Sequence, residues 1–221
     1  MRLPGRLPLL VSAVVGPVSF WLLLRYRLRR PCSLRLRFLL ENPVRRAVHP
    51  VGPTVDKFRI RKGGTVLELG PGSGYFTAEA ASRVGERGRL ICIDILPETA
   101  RFLSQRFQRQ GIDNSRILVG DACNLPLKER MLDGAFLVTV LGETTDKQRA
   151  IGELRRAMKP GGVLSITESL PDPDYQTQAT VRRLCEGAGF QWTELYRRPG
   201  GFTMNFVALT EWAGSAPTRS S

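Results

Sequence analysis

The residues of this chain that could do chemistry begin with Glu68-Leu69-Gly70-Pro71-Gly72-Ser73-Gly74-Tyr75, which joins an apolar run to a helical one. Glycines at alternate positions permit a tight turn and close approach of a ligand to the backbone, and the N–H groups opening the next helix are unpaired. A dinucleotide fingerprint would place its third glycine one position later, where Tyr75 stands. Asp94 closes a second apolar run twenty residues beyond Gly74, where a carboxylate accepts both hydroxyl protons of a ribose. Asp121, in Val119-Gly120-Asp121-Ala122, follows a third run and is placed to accept a hydrogen bond from an adenine amino group. Singly, each aspartate would serve as a cap or turn residue. Behind successive strands they describe an adenosine cradle, and without a G-x-x-x-x-G-K-[ST] run a nucleoside triphosphate is not the expected ligand.

Two glutamates follow later strands. Glu143, in Val140-Leu141-Gly142-Glu143, is the candidate catalytic residue: it would orient a substrate or accept its proton, or else cap a helix beginning near Thr145. Glu168, in Ile166-Thr167-Glu168, is a second candidate, and His49, the single histidine, is either a base folded over the site or a packing residue. Cys32, Cys92, Cys123 and Cys185 contain no C-x-x-C pair, so neither a metal centre nor a disulfide framework is expected. Cys92 lies in an apolar run and Cys185 on a helix, and both read as small buried hydrophobes in a reducing, cytoplasmic setting.

These residues need strands to end beside them. Apolar runs predict strands at 65–69, 89–94, 116–119, 134–140, 162–167, 191–195 and 203–209, and helical patterns predict helices at 75–84, 97–110, 147–158 and 176–188. Such alternation implies an α/β fold with a mostly parallel, doubly wound sheet, whose ligands sit at the carboxyl ends of the strands.

Taken together, VLELGPGSGYFT, ICIDILPE, GDACNLPL, LDGAFLVTVLGE and LRRAMKPGGVLSITE resemble the class I S-adenosylmethionine-dependent methyltransferases over residues 54–209. The resemblance implies a Rossmann-like seven-stranded sheet and S-adenosyl-L-methionine as cofactor. By motif it assigns Glu68, Gly70, Gly72 and Gly74 to the methionine part, Asp94 to the ribose, Ile95, Asp121 and Ala122 to the adenine, and Leu137 to a further cofactor contact. A sulfonium-activated methyl needs mainly alignment and desolvation, so the lack of a catalytic triad is no objection.

The 221 residues carry a formal charge of +13, but it is one-sided. Residues 1–62 hold fourteen Lys/Arg against Glu41 and Asp56, and the remainder holds nineteen against eighteen acids. From Leu7 to Leu24 no charge occurs, a length of roughly 27 Å as a helix, and Arg25, Arg27, Arg29, Arg30, Arg35 and Arg37 follow. Residues 1–40 are therefore expected to be an N-terminal hydrophobic helix with a basic juxtamembrane segment, spanning or lying on a membrane with the catalytic domain facing the cytoplasm. Residues 41–213 form the enzyme domain and 214–221 a flexible tail. The Asn/Asp-Pro-Pro-aromatic motif of amino-methylating nucleic-acid enzymes is replaced by Val140-Leu141-Gly142-Glu143. The preferred acceptor is thus a small, lipophilic or membrane-associated molecule, not nucleic acid. A nicotinamide-dependent oxidoreductase and a silent cofactor-binding scaffold are the alternatives, and the oligomeric state is left open.

Overall fold

A computed structural model describes residues 50–170 and 172–210. The expected anchor at 1–40, His49, Cys32 and the tail at 214–221 lie outside the described residues. No helix among those described is long and apolar enough to cross a membrane.

Seven strands, β1 (Thr65–Leu69), β2 (Arg89–Asp94), β3 (Ser115–Val119), β4 (Leu132–Val138), β5 (Met158–Ser169), β6 (Phe190–Arg198) and β7 (Gly201–Ala208), form one sheet in the order β3-β2-β1-β4-β5-β7-β6. The first five pair in parallel, and β7 runs antiparallel to both neighbours. Between them lie α1 (Val51–Val55), α2 (Thr77–Val84), α3 (Pro97–Gln110), α4 (Lys147–Ala157) and α5 (Gln178–Gly187).

Side-chain alternation sends Leu67, Leu69, Ile93, Leu137 and Ile166 into one core and Val66, Leu90, Cys92 and Phe136 into another. Both strand faces are apolar because helices cover both. Ile151 and Leu154 of α4 and Val181 and Leu184 of α5 close the first core, while Ala80 and Val84 of α2 and Leu103 and Phe107 of α3 close the second. Each fully buried Leu or Ile contributes roughly 1.5–3 kcal/mol. Because β2 flanks β1 on one side and β4 on the other, the connections diverge and leave a crevice at their carboxyl ends.

Several elements depart from expectation for identifiable reasons. β4 stops at Val138 rather than residue 140, since Thr139 takes a left-handed φ of 53° that ends the extended chain. β5 is longer than the expected 162–167, because it pairs with β4 through a register irregularity and already begins at Met158. The helix expected to start at residue 75 starts at Thr77. The helix expected at 147–158 does start at Lys147, and its cap is Asp146, which accepts the Arg149 N–H at 3.0 Å, rather than Glu143. α1, unforeseen in Val51-Gly52-Pro53, tolerates Pro53 because its third position has no helical donor to lose. The segment after it is tied down by Phe58, stacked on Phe136 at 4.5 Å between ring centroids, and by the Ser165 hydroxyl, which donates to the Phe58 carbonyl at 3.1 Å.

Candidate functional site

The crevice is lined first by backbone. Gly70 sits at φ 66°, and a Cβ there would lie 2.5 Å from a methyl of Val140, so the loop and the end of β4 touch only because this position has no side chain. Gly74 is likewise closed, with Leu103 2.5 Å from a Cβ. The loop is held from two sides. Asp94 Oδ2 accepts the Gly72 N–H at 3.4 Å, and Arg106 of α3 donates from Nη1 to the Ser73 carbonyl at 2.7 Å.

Asp94 ends β2 as a buried carboxylate whose other oxygen accepts the Leu96 N–H at 3.0 Å. Both carboxylate oxygens therefore stand at the carboxyl end of β2, facing the backbone of the glycine loop and of the turn after the strand. The Gly120 N–H donates to the Asp94 carbonyl at 3.0 Å, which sets the turn containing Asp121 beside it. Asp121 is exposed; its Oδ1 accepts the Cys123 N–H at 2.8 Å, leaving Oδ2 for a ligand. Ile95 and Val119 are each 51% exposed, unusual for large apolar side chains, and they flank this turn with surface suited to a planar base. Ala122 is half-buried in the same turn.

Glu68 is enclosed at the end of β1, with the Cys92 thiol donating to its Oε2 at 3.7 Å. Burial pushes its carboxyl up to about 7, against the lowering effects of Thr77, Cys92 and Arg106. The structure thus brings together Glu68, Gly70, Gly72, Gly74, Asp94, Ile95, Asp121 and Ala122. Leu137 is 1% exposed inside the core, in register with Leu69, the residue before the loop, and with Ile166.

The second half of the crevice belongs to β4 and β5. Glu143 lies half-buried in a 3-10 turn at Leu141–Glu143. Glu168 is 1% exposed at the end of β5, its Oε2 accepting the Gln176 N–H at 3.2 Å and its Oε1 buried without any partner. Burial pushes its carboxyl up to about 8; the Gln176 hydrogen bond opposes the rise, and the charges of Asp172, Asp174 and Glu143 add to it. Sequence reasoning did not foresee what covers Glu168. A Cβ at Gly142 would lie 1.8 Å from the Asp174 carbonyl oxygen, so the turn at 172–176 packs directly on the 3-10 turn, and Gly142 is the residue that marks this. Arg106 and Thr139 were also not singled out; an arginine on an amphipathic helix and a threonine at a strand end carry no sequence signal for these roles. A surface cavity of about 1270 Å³ beside Lys62, Gly85, Arg87 and Asn114 lies at the opposite, amino-terminal end of the strands and has no part in this arrangement.

Residues 67–166 match the family model described as a methyltransferase domain. The Ubiquinone/menaquinone biosynthesis C-methyltransferase UbiE of Klebsiella pneumoniae is 33% identical over 116 residues, 52% of this chain and 46% of that protein, and its Escherichia coli counterpart is 32% identical over the same length. The chain thus spans about half the length of the curated relatives it matches. Among solved structures, a SAM-dependent methyltransferase from Aquifex aeolicus superposes with a TM-score of 0.75 at 21% identity, covering 81% of this chain and 100% of that one. The cyclase SpnF follows at 0.65 and 15%, covering 73% and 81%. The last likeness shows that this fold by itself does not name a reaction.

Proposed function

We propose that the chain, whose residues 67–166 match a methyltransferase-domain model, is a class I S-adenosylmethionine-dependent methyltransferase that moves the methyl group of that cofactor onto a ring carbon of a small, lipophilic quinone precursor. The observation that carries this reading is the joint placement of the glycine loop, Asp94 and Asp121 at the carboxyl ends of β1, β2 and β3.

The residues present fit the cofactor. The bare backbone at Gly70 and Gly74 suits its methionine part, Asp94 offers the ribose a carboxylate at the end of β2, and Ile95, Val119 and Asp121 offer a base two apolar faces and an acceptor. When bound, the cofactor supplies a methyl group already activated by its sulfonium. What is left to the protein is alignment, exclusion of water and removal of one proton. Glu143, on the 3-10 turn after β4, borders the place where the methyl would be transferred.

The similar proteins named C-methyltransferases support carbon as the acceptor atom. Carbon attack in turn favours the reduced, hydroquinone form, whose ring is electron-rich where the quinone ring is electron-poor. Lipophilicity is supported by the sequence: the uncharged run at 7–24 and the arginines after it suit an anchor at residues 1–40 that holds the domain on the cytoplasmic face of a membrane beside a buried acceptor. Titration calorimetry of S-adenosylmethionine against the full chain and Asp94→Ala tests the reading. Saturable binding that weakens sharply in the variant is expected; no binding to the unaltered chain would remove the cofactor from this crevice.

A further inference from the structure

We propose that Arg106 is a positioning residue for the cofactor: from α3 it fixes the glycine loop in the form that receives the methionine part of S-adenosylmethionine. The inference rests on that cofactor occupying the crevice, as read above.

The loop has little stiffness of its own. Gly70, Gly72 and Gly74 take φ of 66°, 57° and 78°, a region that glycine enters and leaves freely. Where a ligand must itself order such a segment, the lost backbone freedom lowers its affinity. Hydrogen bonds oppose that freedom beforehand. The Gly70 N–H donates to the Ile93 carbonyl at 2.8 Å, the Gly74 N–H to the Pro71 carbonyl at 2.9 Å and the Gly72 N–H to Asp94 Oδ2 at 3.4 Å. Those bonds tie the loop to β2 or to itself. The shortest, at 2.7 Å, is charge-assisted and runs from Arg106 Nη1 to the Ser73 carbonyl.

The helix gives this bond its purchase. Leu103 and Arg106 lie one turn apart on α3, and a Cβ at Gly74 would stand 2.5 Å from Leu103 Cδ2 and 3.5 Å from Arg106 Nη1. The two side chains thus meet the loop as an apolar stop and a polar hook. Leu103 and Phe107 are buried in the second core, so α3 is itself held against the sheet. Its start is tied to the other half of the site: the N–H of Leu96, the N-cap residue, donates to Asp94 Oδ1 at 3.0 Å. From Leu96 to Arg106 the helix advances about 15 Å. One rigid element therefore joins the carboxylate read as the ribose acceptor to the loop read as the methionine cradle.

A solvated helical arginine is the plain alternative, and α3 offers two for comparison. Arg101 and Arg109 are exposed, and Arg109 Nε bonds the Gln105 carbonyl of its own helix. Arg106 is half-buried and bonds a carbonyl 33 residues away, while its Nε approaches Gln110 of its own helix only to 3.4 Å. Its charge also bears on Glu68, the buried carboxyl at the loop's entrance, and opposes the rise in proton affinity that burial causes there.

The test is titration calorimetry of the full-length protein with two probes, S-adenosylmethionine and methylthioadenosine, which lacks the amino-acid chain. Arg106→Met keeps an apolar stem without the donor. Its Kd for S-adenosylmethionine should rise roughly 10- to 100-fold, while its Kd for methylthioadenosine stays within about twofold of the unaltered value. Arg106→Lys, which keeps a charged donor, should recover most of the loss, and Arg109→Met should bind both probes as the unaltered chain does. The assignment would be overturned, with the cofactor reading left standing, by an S-adenosylmethionine Kd within about twofold of the unaltered value in Arg106→Met. Equal weakening of both probes, a lysine variant as weak as the methionine variant, or an equal loss in Arg109→Met would overturn it too. An unaltered chain that does not bind S-adenosylmethionine would sink both. If a thermal melt shows that Arg106→Met does not fold, Arg106→Gln takes its place under the same outcomes.

Discussion

Two glutamates at the ends of two strands have opposite fates. Glu68 on β1 and Glu168 on β5 are both enclosed, and burial raises the proton affinity of both. Glu68 receives a thiol hydrogen bond and lies within the influence of Arg106, which also holds the glycine loop. Glu168 receives one backbone N–H, keeps an unbonded oxygen and faces three carboxylates. The two enclosed glutamates are thus held differently, Glu68 by a side-chain thiol and Glu168 by a single backbone N–H.

The largest effect that would sharpen this contrast is on stability against pH. Both carboxyls have folded-state proton affinities above their ordinary value of 4.5, so their contribution is complete below about pH 4.5 and is lost as pH rises toward 7 for Glu68 and 8 for Glu168. Denaturant unfolding from pH 5 to 8.5 should show stability falling as pH rises, and Glu168→Gln should remove part of the fall, at most about 4 kcal/mol. A slope unchanged in that variant would mean Glu168 is not the strained group described. Glu194 acts in the other direction. Hydrogen bonding from Arg59 holds its carboxyl down at about 2, so what it contributes is lost as pH falls from 4.5 toward 2, a small effect for so exposed a pair.

Next in size, Asp94→Ala should cost roughly 1–3 kcal/mol of S-adenosylmethionine binding, since it leaves the ribose hydroxyls unpaired and frees the Gly72 N–H. Calorimetry checks it, and an unchanged Kd would remove Asp94 from the cofactor frame. Gly70→Ala meets both a positive φ and Val140 at 2.5 Å, and should destabilise by about 1–3 kcal/mol in a thermal melt. The smallest effect is expected in the reaction half. Thr139→Gly relieves a β-branched residue at φ 53°, so a gain of a few tenths to about 1 kcal/mol is expected, reduced by loss of the hydroxyl bond to the Val138 carbonyl. A loss beyond 1 kcal/mol would show that the side chain, not the turn, matters there.

The same division governs what could be read from the sequence. The placement of the glycine loop, Asp94 and the Asp121 turn at successive strand ends was legible because it follows from the strand pattern, and β1, β2 and α3 were placed to the residue. Sequence reasoning weighed Glu143 between base and helix cap, and the cap is Asp146, the residue directly before α4, while Glu143 sits in a separate 3-10 turn. Leu137, assigned to the cofactor by motif, is a core residue because the alternation of β4 turns it toward Leu69 and Ile166. The isolation of Glu168 could not be read at all. It depends on a turn at 172–176 folding onto Gly142, a contact between segments some thirty residues apart that leaves no local pattern. α1 was missed for a related reason: Gly52 and Pro53 argue for a loop, and only packing of Val55 and Phe58 against the sheet makes the segment regular.

The most direct test of the central claim is to incubate the full-length protein with methyl-labelled S-adenosylmethionine and total membranes of its host, then to count the lipid, protein and nucleic-acid fractions separately. Label in the lipid fraction, lost in Asp94→Ala, is the result expected of a methyltransferase with a lipophilic acceptor. Label confined to protein or nucleic acid, or found nowhere, would contradict it.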